Sequence, residues 1–281
     1  MAFFLLLVSV VTAFTFGQLF KWSQRQGCHG PVVVTINYTV VALILALYLG
    51  LQGSIELTPM VLQVGVVTGC CFTIAMFLMT WALKVSNVAA ILTAFRVSIV
   101  VPIAMSYIIW QEEVTSLQLI GIAMALGALL LMGGGQGNHI TKKALFTHGG
   151  LAVAVCIMQG VSHTSARWVH HAGLDDFHAE VLLVTATTAA VFGAMILVAL
   201  QRRPNSSAVR MGTIIGVFNT GALLILLASL ARFKSATFFP ITGCAIVILD
   251  NIFAHVVWRE QLSVLAWIGA GIGAASILLV M

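Results

Sequence analysis

Charge is what this sequence has least of: Asp, Glu, Lys and Arg make up 7% of its 281 residues, against 60% apolar residues. Soluble domains carry charge on about a quarter of their residues, because an exposed surface has to remain in water. A chain with so little charge and so much hydrocarbon excludes a soluble fold. Acidic residues are the scarcest, eight against thirteen basic ones, and the basic residues are spread through short polar stretches without forming a stripe. No nucleic-acid partner is expected, since that needs a clustered basic face. Cysteine is sparse and odd in number, with Cys70, Cys71, Cys156 and Cys244 inside apolar runs and none at metal-ligand spacing. The thiols therefore read as small core residues, and no cofactor or metal is called for. The first apolar run, Ala2 to Phe20, lacks a charged leading region and a small-residue cleavage site, so it reads as a structural helix. Neither a Walker-type phosphate loop nor a ring-forming filter sequence is present, which argues against an ATP-driven pump and a channel.

What the sequence does have is apolar runs, at about 2–20, 31–51, 60–82, 88–110, 116–133, 148–168, 177–200, 210–231, 236–258 and 262–281. A hydrocarbon layer of ~30 Å takes roughly 20 helical residues to cross, and each run is about that long. The expected fold is an all-α integral membrane protein with ten transmembrane helices. The odd-numbered loops hold Lys21, Arg25, Lys84, Lys142, Lys143, Arg202, Arg203, Arg210 and Arg259, whereas the even ones hold only Arg167, Arg232 and Lys234. The excess of Lys and Arg on cytoplasmic loops then puts both termini outside.

The chain also repeats itself. A shift of 148 residues lays Trp110-Gln-Glu112-Glu-Val-Thr-Ser-Leu117-Gln-Leu-Ile120-Gly121 on Trp258-Arg-Glu260-Gln-Leu-Ser-Val-Leu265-Ala-Trp-Ile268-Gly269, with five of twelve positions identical. The same shift pairs Lys84 with Arg232, and a shift of 146 pairs Lys21, Trp22 and Gly27 with Arg167, Trp168 and Gly173. We read residues 1–135 as a first five-helix repeat, 136–147 as a glycine-rich connection and 148–281 as the second repeat. An odd number of helices per copy makes the second enter the membrane in the opposite sense, so the expected architecture is two inverted five-helix repeats. Secondary transporters use that arrangement for alternating access.

Within each copy the third helix ends in Ala82-Leu83, the fourth holds Pro102, and Glu112 or Glu113 precedes a fifth helix with Gly121 and Gly127; the second copy has Pro240, Glu260, Gly269, Gly271 and Gly273. This pattern resembles two EamA-type units of the drug/metabolite transporter superfamily over essentially the whole chain. The resemblance implies a ten-helix permease or exporter of a small solute in the cytoplasmic membrane, with a central cavity and no enzymatic activity. Many relatives carry a basic loop after the second helix, which implies termini inside; here residues 50–59 hold no Lys or Arg.

Polar side chains inside the apolar runs are the candidate solute site, because an ionised group near the bilayer centre is costly unless it meets a partner or a cavity. Arg96 lies roughly 14 Å from the start of its helix and Asp250 roughly 12 Å from the end of its own, both measured from odd-numbered loops. Inversion thus puts them at one depth. They form either a structural ion pair or a solute site in which Arg96 takes an anionic or zwitterionic group and Asp250 a cation or proton. Asn37, Tyr38, His163, Gln18, Gln63 and Asn219 complete the polar set, together with Gln159, Asn251 and His255. Taken singly, each reads more readily as an interhelical hydrogen bond than as a ligand contact; together they suggest a polar central cavity. Asp250 and His163 are the candidates for proton coupling. Trp22 and Trp168 occupy equivalent helix ends, where they suit an aromatic belt or stacking on a flat solute. Gly269 with Gly273, and Gly121 with Ala125, allow close helix contact, within the bundle or in a homodimer through the fifth and tenth helices.

Two rivals remain. A lipid or head-group flippase needs the same bundle with a lateral opening. A membrane metalloenzyme would use His163, His170, His171 and His178 with Asp175 and Asp176, although their spacing matches no zinc signature.

Overall fold

The computed structural model describes residues 2–53, 55–85, 88–134, 142–201, 204–257, 259 and 263–280. Among them all regular structure is helical: α1 (Ala2–Arg25), α2 (Gly30–Gln52), α3 (Pro59–Val85), α4 (Val88–Val97), α5 (Val100–Trp110), α6 (Ser116–Gly134), α7 (Lys142–His171), α8 (His178–Ala199), α9 (Ser206–Leu230), α10 (Ser235–Val256) and α11 (Val264–Val280). Among the described residues six spans are long and apolar enough to cross a bilayer: Phe3–Arg25, Gly30–Gln52, Pro59–Leu83, Asp175–Ala199, Ser206–Leu230 and Ser235–Val256. Shorter apolar stretches cover Ala94–Trp110, which takes in the end of α4 and all of α5, Ser116–Leu131 and Val264–Val280. This is the composition of a helical membrane protein, in which every backbone polar group has to be paired within the fold. Of the connection expected at 136–147, residues 136–141 lie outside the described residues and 142–147 form the first turns of α7. Trp258 and Glu260 also lie outside them.

The run expected as one helix over 88–110 is broken into α4 and α5. Pro102 has no N–H to give the Ser98 carbonyl, so that oxygen accepts from Val101 N–H at 3.0 Å instead, three residues on rather than four. The tightened turn ends α4 immediately after Arg96 and Val97.

Six described residues have left-handed backbone, and they fall into three pairs. Gly27 and Gly173 (φ 73° and 70°) are 146 residues apart; Gly53 and Gln201 (71° and 50°) and Gln111 and Arg259 (53° each) are 148 apart. These are the shifts at which the sequence matches itself. The first pair ends α1 and α7 with one hydrogen-bond pattern: Cys28 N–H to Ser23 O and Leu174 N–H to Val169 O, both 3.1 Å, with Gly27 N–H to Gln24 O and Gly173 N–H to His170 O inside. Glycine tolerates this backbone because it has no Cβ to clash, and the motif satisfies carbonyls that a helix end would leave bare.

The chain packs as two compact units, Met1–Phe77 with Ser165–Arg232, and Leu78–Thr164 with Phe233–Met281. Each unit takes helices from both halves of the sequence. In the first, α2 lies against α8 and α9, and α1 against α9. Thr35 meets Gly193 at one end of the α2–α8 contact, while Leu45 and Tyr48 share a wall with His178 and Ala179 at the other, so these helices run antiparallel. In the second unit α6 and α11 run antiparallel, with Gly121 against Val280 and Gly273 against Ala128. The broken α4–α5 segment runs antiparallel to α10, joined by Ser106 and Ser235 at one end and by Arg96 and Asp250 at the other.

Gly160 of α7 marks the closest approach in the second unit: a Cβ there would lie 2.3 Å from Val101 Cβ of α5. We expect Gly160→Ala to push the helices apart and lower stability by about 1–3 kcal/mol, as overpacking does. Gly127→Ala, whose Cβ would meet nothing within 4 Å, should be neutral or stabilising. Thermal unfolding of the two variants in one detergent checks this; equal midpoints would contradict the close α5–α7 contact.

Candidate functional site

The site in the second unit grows from how α4 is held. Ala82, Ile91 and Val155 are buried together, with Leu78, Leu83, Phe95, Leu151 and Ala152 packed around them, which fixes α4 between the end of α3 and the start of α7. Arg96 follows Phe95 at the far end of α4, its guanidinium 5.5 Å from the centre of the Phe95 ring. Its Nη2 donates to Asp250 Oδ2 of α10 in a salt bridge. The two side chains keep 26% and 22% of their surface exposed, so the pair is sheltered yet reachable.

His163 of α7 lies in the same compact unit as Arg96 and Asp250. Its Nε2 is 3.1 Å from Gln159 Nε2, one turn earlier, and its ring is tilted against Phe239 of α10 at 5.6 Å between centres. An amide nitrogen only donates, so His163 Nε2 accepts and the neutral ring carries its proton on Nδ1. Among the described residues of this unit, two buried side-chain atoms have no hydrogen-bond partner: Gln159 Oε1, an acceptor, and Asn251 Nδ2, a donor beside Asp250 in sequence. Leaving such an atom unpaired costs about 1–3 kcal/mol, so a polar guest supplying the missing partner would be stabilised by it.

Of the ten candidate solute residues, the second unit thus holds Arg96, Asp250 and His163. The other seven lie in the first unit. Asn37, Tyr38 and Asn219 are buried in α2 and α9, with Asn37 Oδ1 unpaired. Gln18 and Trp168 are half-buried, while Gln63 and Trp22 are exposed. The first unit also has a cavity of about 340 Å³ whose lining includes Ile44, Leu45, Leu224, Tyr48, Asp175 and Asp176. Beside it His170 Nδ1 is 2.7 Å from Asp175 Oδ2, and His178 Nε2 is 3.7 Å from Asp175 Oδ1. No group of three His, Cys, Asp or Glu among the described residues is placed to hold a metal ion.

Among the described residues, two buried charged side chains were not among the candidate solute residues. Glu112, 8% exposed, accepts from Ser235 N–H at 2.8 Å and from Ser235 Oγ at 3.4 Å, so it caps the N-terminus of α10 from another segment. Ser106 Oγ adds a 2.7 Å hydrogen bond to Ser235 Oγ. Arg167, counted above as a loop residue, is inside α7 and 3% exposed; its Nη1 donates to the carbonyl of Leu230, the last residue of α9. A negative group at a helix start and a positive one at a helix end both oppose the helix dipole. The signal for each lay in the self-match, which pairs Glu112 with Glu260 and Arg167 with Lys21.

No family model and no curated protein matches this sequence. A protein of known crystal structure is similar over 99% of this chain and 95% of its own length, with a TM-score of 0.80 at 14% identity. That likeness shows a shared fold.

Removing the Glu112 carboxylate should unmask the α10 N-terminus. Glu112→Ala is expected to cost about 1–3 kcal/mol, because the buried Ser235 N–H loses its acceptor, whereas Glu112→Gln keeps an oxygen there and should cost less. Denaturation midpoints of the pair decide it; an unaffected Ala variant would remove the cap from the account.

Proposed function

We propose that this chain is a secondary-active transporter that carries a small polar or amphiphilic metabolite across the cytoplasmic membrane, of bacterial inner-membrane type, by alternating access. The reading takes the chain as ten crossings in two inverted five-helix repeats of the EamA type. Three features support the repeat: the paired left-handed residues, the common ends of α1 and α7, and the antiparallel packing of matched segments, α2 with α8, α4–α5 with α10 and α6 with α11.

The observation that carries the function is the Arg96–Asp250 pair. Two opposite charges from matched helices sit among apolar residues with polar surface still exposed, and such groups mark solute or ion pathways in membrane bundles. In this reading Arg96 and Asp250 bind the solute, and His163 and Asp250 exchange the coupling proton. The rival reading, a lipid head-group carrier, draws on the cavity of the first unit, whose lining joins apolar residues to Asp175 and Asp176, as suits an amphiphile.

Uptake into proteoliposomes tests both halves. Arg96→Gln should abolish flux while the protein stays folded. Should Arg96→Ala instead unfold the protein, with Asp250→Ala restoring it, the pair is structural and the site is wrong. A pH gradient should drive flux in the parent and not in Asp250→Asn; flux indifferent to the gradient in both would remove proton coupling through this residue.

A further inference from the structure

The three helices that line the first unit's cavity, α2, α8 and α9, are all among the spans long and apolar enough to cross a bilayer. α2 runs antiparallel to α8 and parallel to α9, since Gly212 meets Ile36 and Gly216 meets Val40. Depth in the cavity can therefore be read along the chain. Asp175 and Asp176 immediately precede α8, and Tyr48 is about 10 Å beyond the middle of α2, whereas Ile44 and Thr220 come within about 5 Å of the middle of their helices. The carboxylates thus stand at the level of the helix ends. Towards the bilayer middle the lining is effectively apolar, because Thr220 spends its hydroxyl on the Gly216 carbonyl at 2.9 Å.

Among the described residues no Lys or Arg lines this cavity, so its two carboxylates set its charge. His170 Nδ1 donates to Asp175 Oδ2 at 2.7 Å, but Asp175 Oδ1 is buried and accepts no hydrogen bond, with His178 Nε2 3.7 Å away. A buried carboxylate oxygen without a donor is disfavoured, and a primary ammonium supplies both the opposite charge and the missing N–H. A quaternary ammonium brings charge without an N–H, and an anion is repelled. The volume, about 340 Å³, is far larger than a bare inorganic ion needs and falls in the range of sites for organic ligands.

We infer that this cavity holds the headgroup of an ethanolamine phospholipid taken from the leaflet at that end of the helices. The ammonium meets Asp175 Oδ1 and Asp176, and Tyr48 offers its hydroxyl to the phosphate that follows. Leu47 and Val217, each one helical turn from a lining residue, Ile44 and Thr220, are exposed apolar side chains on which the acyl chains lie. The order of chemistry along the cavity, charge at the helix ends and hydrocarbon towards the middle, is that of a lipid in its own leaflet. The inference goes beyond the transport reading, whose charged residues Arg96 and Asp250 belong to the second unit.

The test titrates delipidated full-length protein in a neutral detergent with dioctanoyl phosphatidylethanolamine and reads the thermal midpoint. Phosphatidylcholine and phosphatidylglycerol of the same chains, octylamine and free ethanolamine are the comparisons. The ethanolamine lipid should raise the midpoint, with the choline lipid about tenfold weaker or more in apparent affinity and the glycerol lipid and free ethanolamine without effect. Asp176→Asn, at an exposed position where the fold tolerates it, should bring the ethanolamine lipid down to the choline lipid's level. Ala179→Leu, which takes up cavity volume and leaves both carboxylates, should weaken the response as well. A choline or glycerol lipid that binds as tightly as the ethanolamine lipid overturns the inference, and so does no response to any lipid. Octylamine or ethanolamine acting where the ethanolamine lipid does not would give the site to a free amine and overturn the lipid. An ethanolamine preference that survives both substitutions overturns its placement in this cavity.

Discussion

A salt bridge between an arginine of α4 and an aspartate of α10 ties together two helices of the second unit that are distant in sequence. Each side chain keeps about a quarter of its surface exposed, so the pair is sheltered without being sealed off. Everything around Arg96 and Asp250 serves to bring them to one place. Pro102 stops the fourth run so that α4 ends just after Arg96; the cluster around Ile91 and Val155 holds α4 down; and α10 runs antiparallel, so that Asp250 arrives at the end of α4.

Local backbone features recur along this chain where the chemistry does not. Left-handed residues recur at matched positions and matched helices pair antiparallel, yet the positions matched to Arg96 and Asp250 are Cys244 and Pro102. In the proposed reading of the chain as a repeated unit, the two matched places differ in chemistry and one of them alone carries charge.

Helix ends impose a second constraint, because bare N–H and C=O groups are expensive away from water. The turn between α9 and α10 is held at both ends by a buried ion, Arg167 on the last carbonyl of α9 and Glu112 on the first N–H of α10. Each acts inside its own compact unit, and the boundary between the units falls in this turn, between Arg232 and Phe233. Charges that composition alone would assign to loops are thus part of the interior.

The sequence by itself determined the helical membrane class, the rough extent of most apolar helices, and that Arg96 and Asp250 could meet. Those follow from hydrophobic run length and residue counting, which are local properties. Only the tertiary structure decided that the fourth run is broken, that Arg167 and Glu112 are buried caps, and which polar residues gather. His163 joins Arg96 and Asp250, whereas Asn37, Tyr38 and Asn219, which read the same way along the chain, are buried in the other unit. The physical reason is that a helix shows hydrocarbon on all its faces in a bilayer, so periodicity no longer marks the inward side. Which face turns inward is settled by close contacts such as Gly160 on Val101 and Gly216 on Val40, and these exist only once the helices are packed.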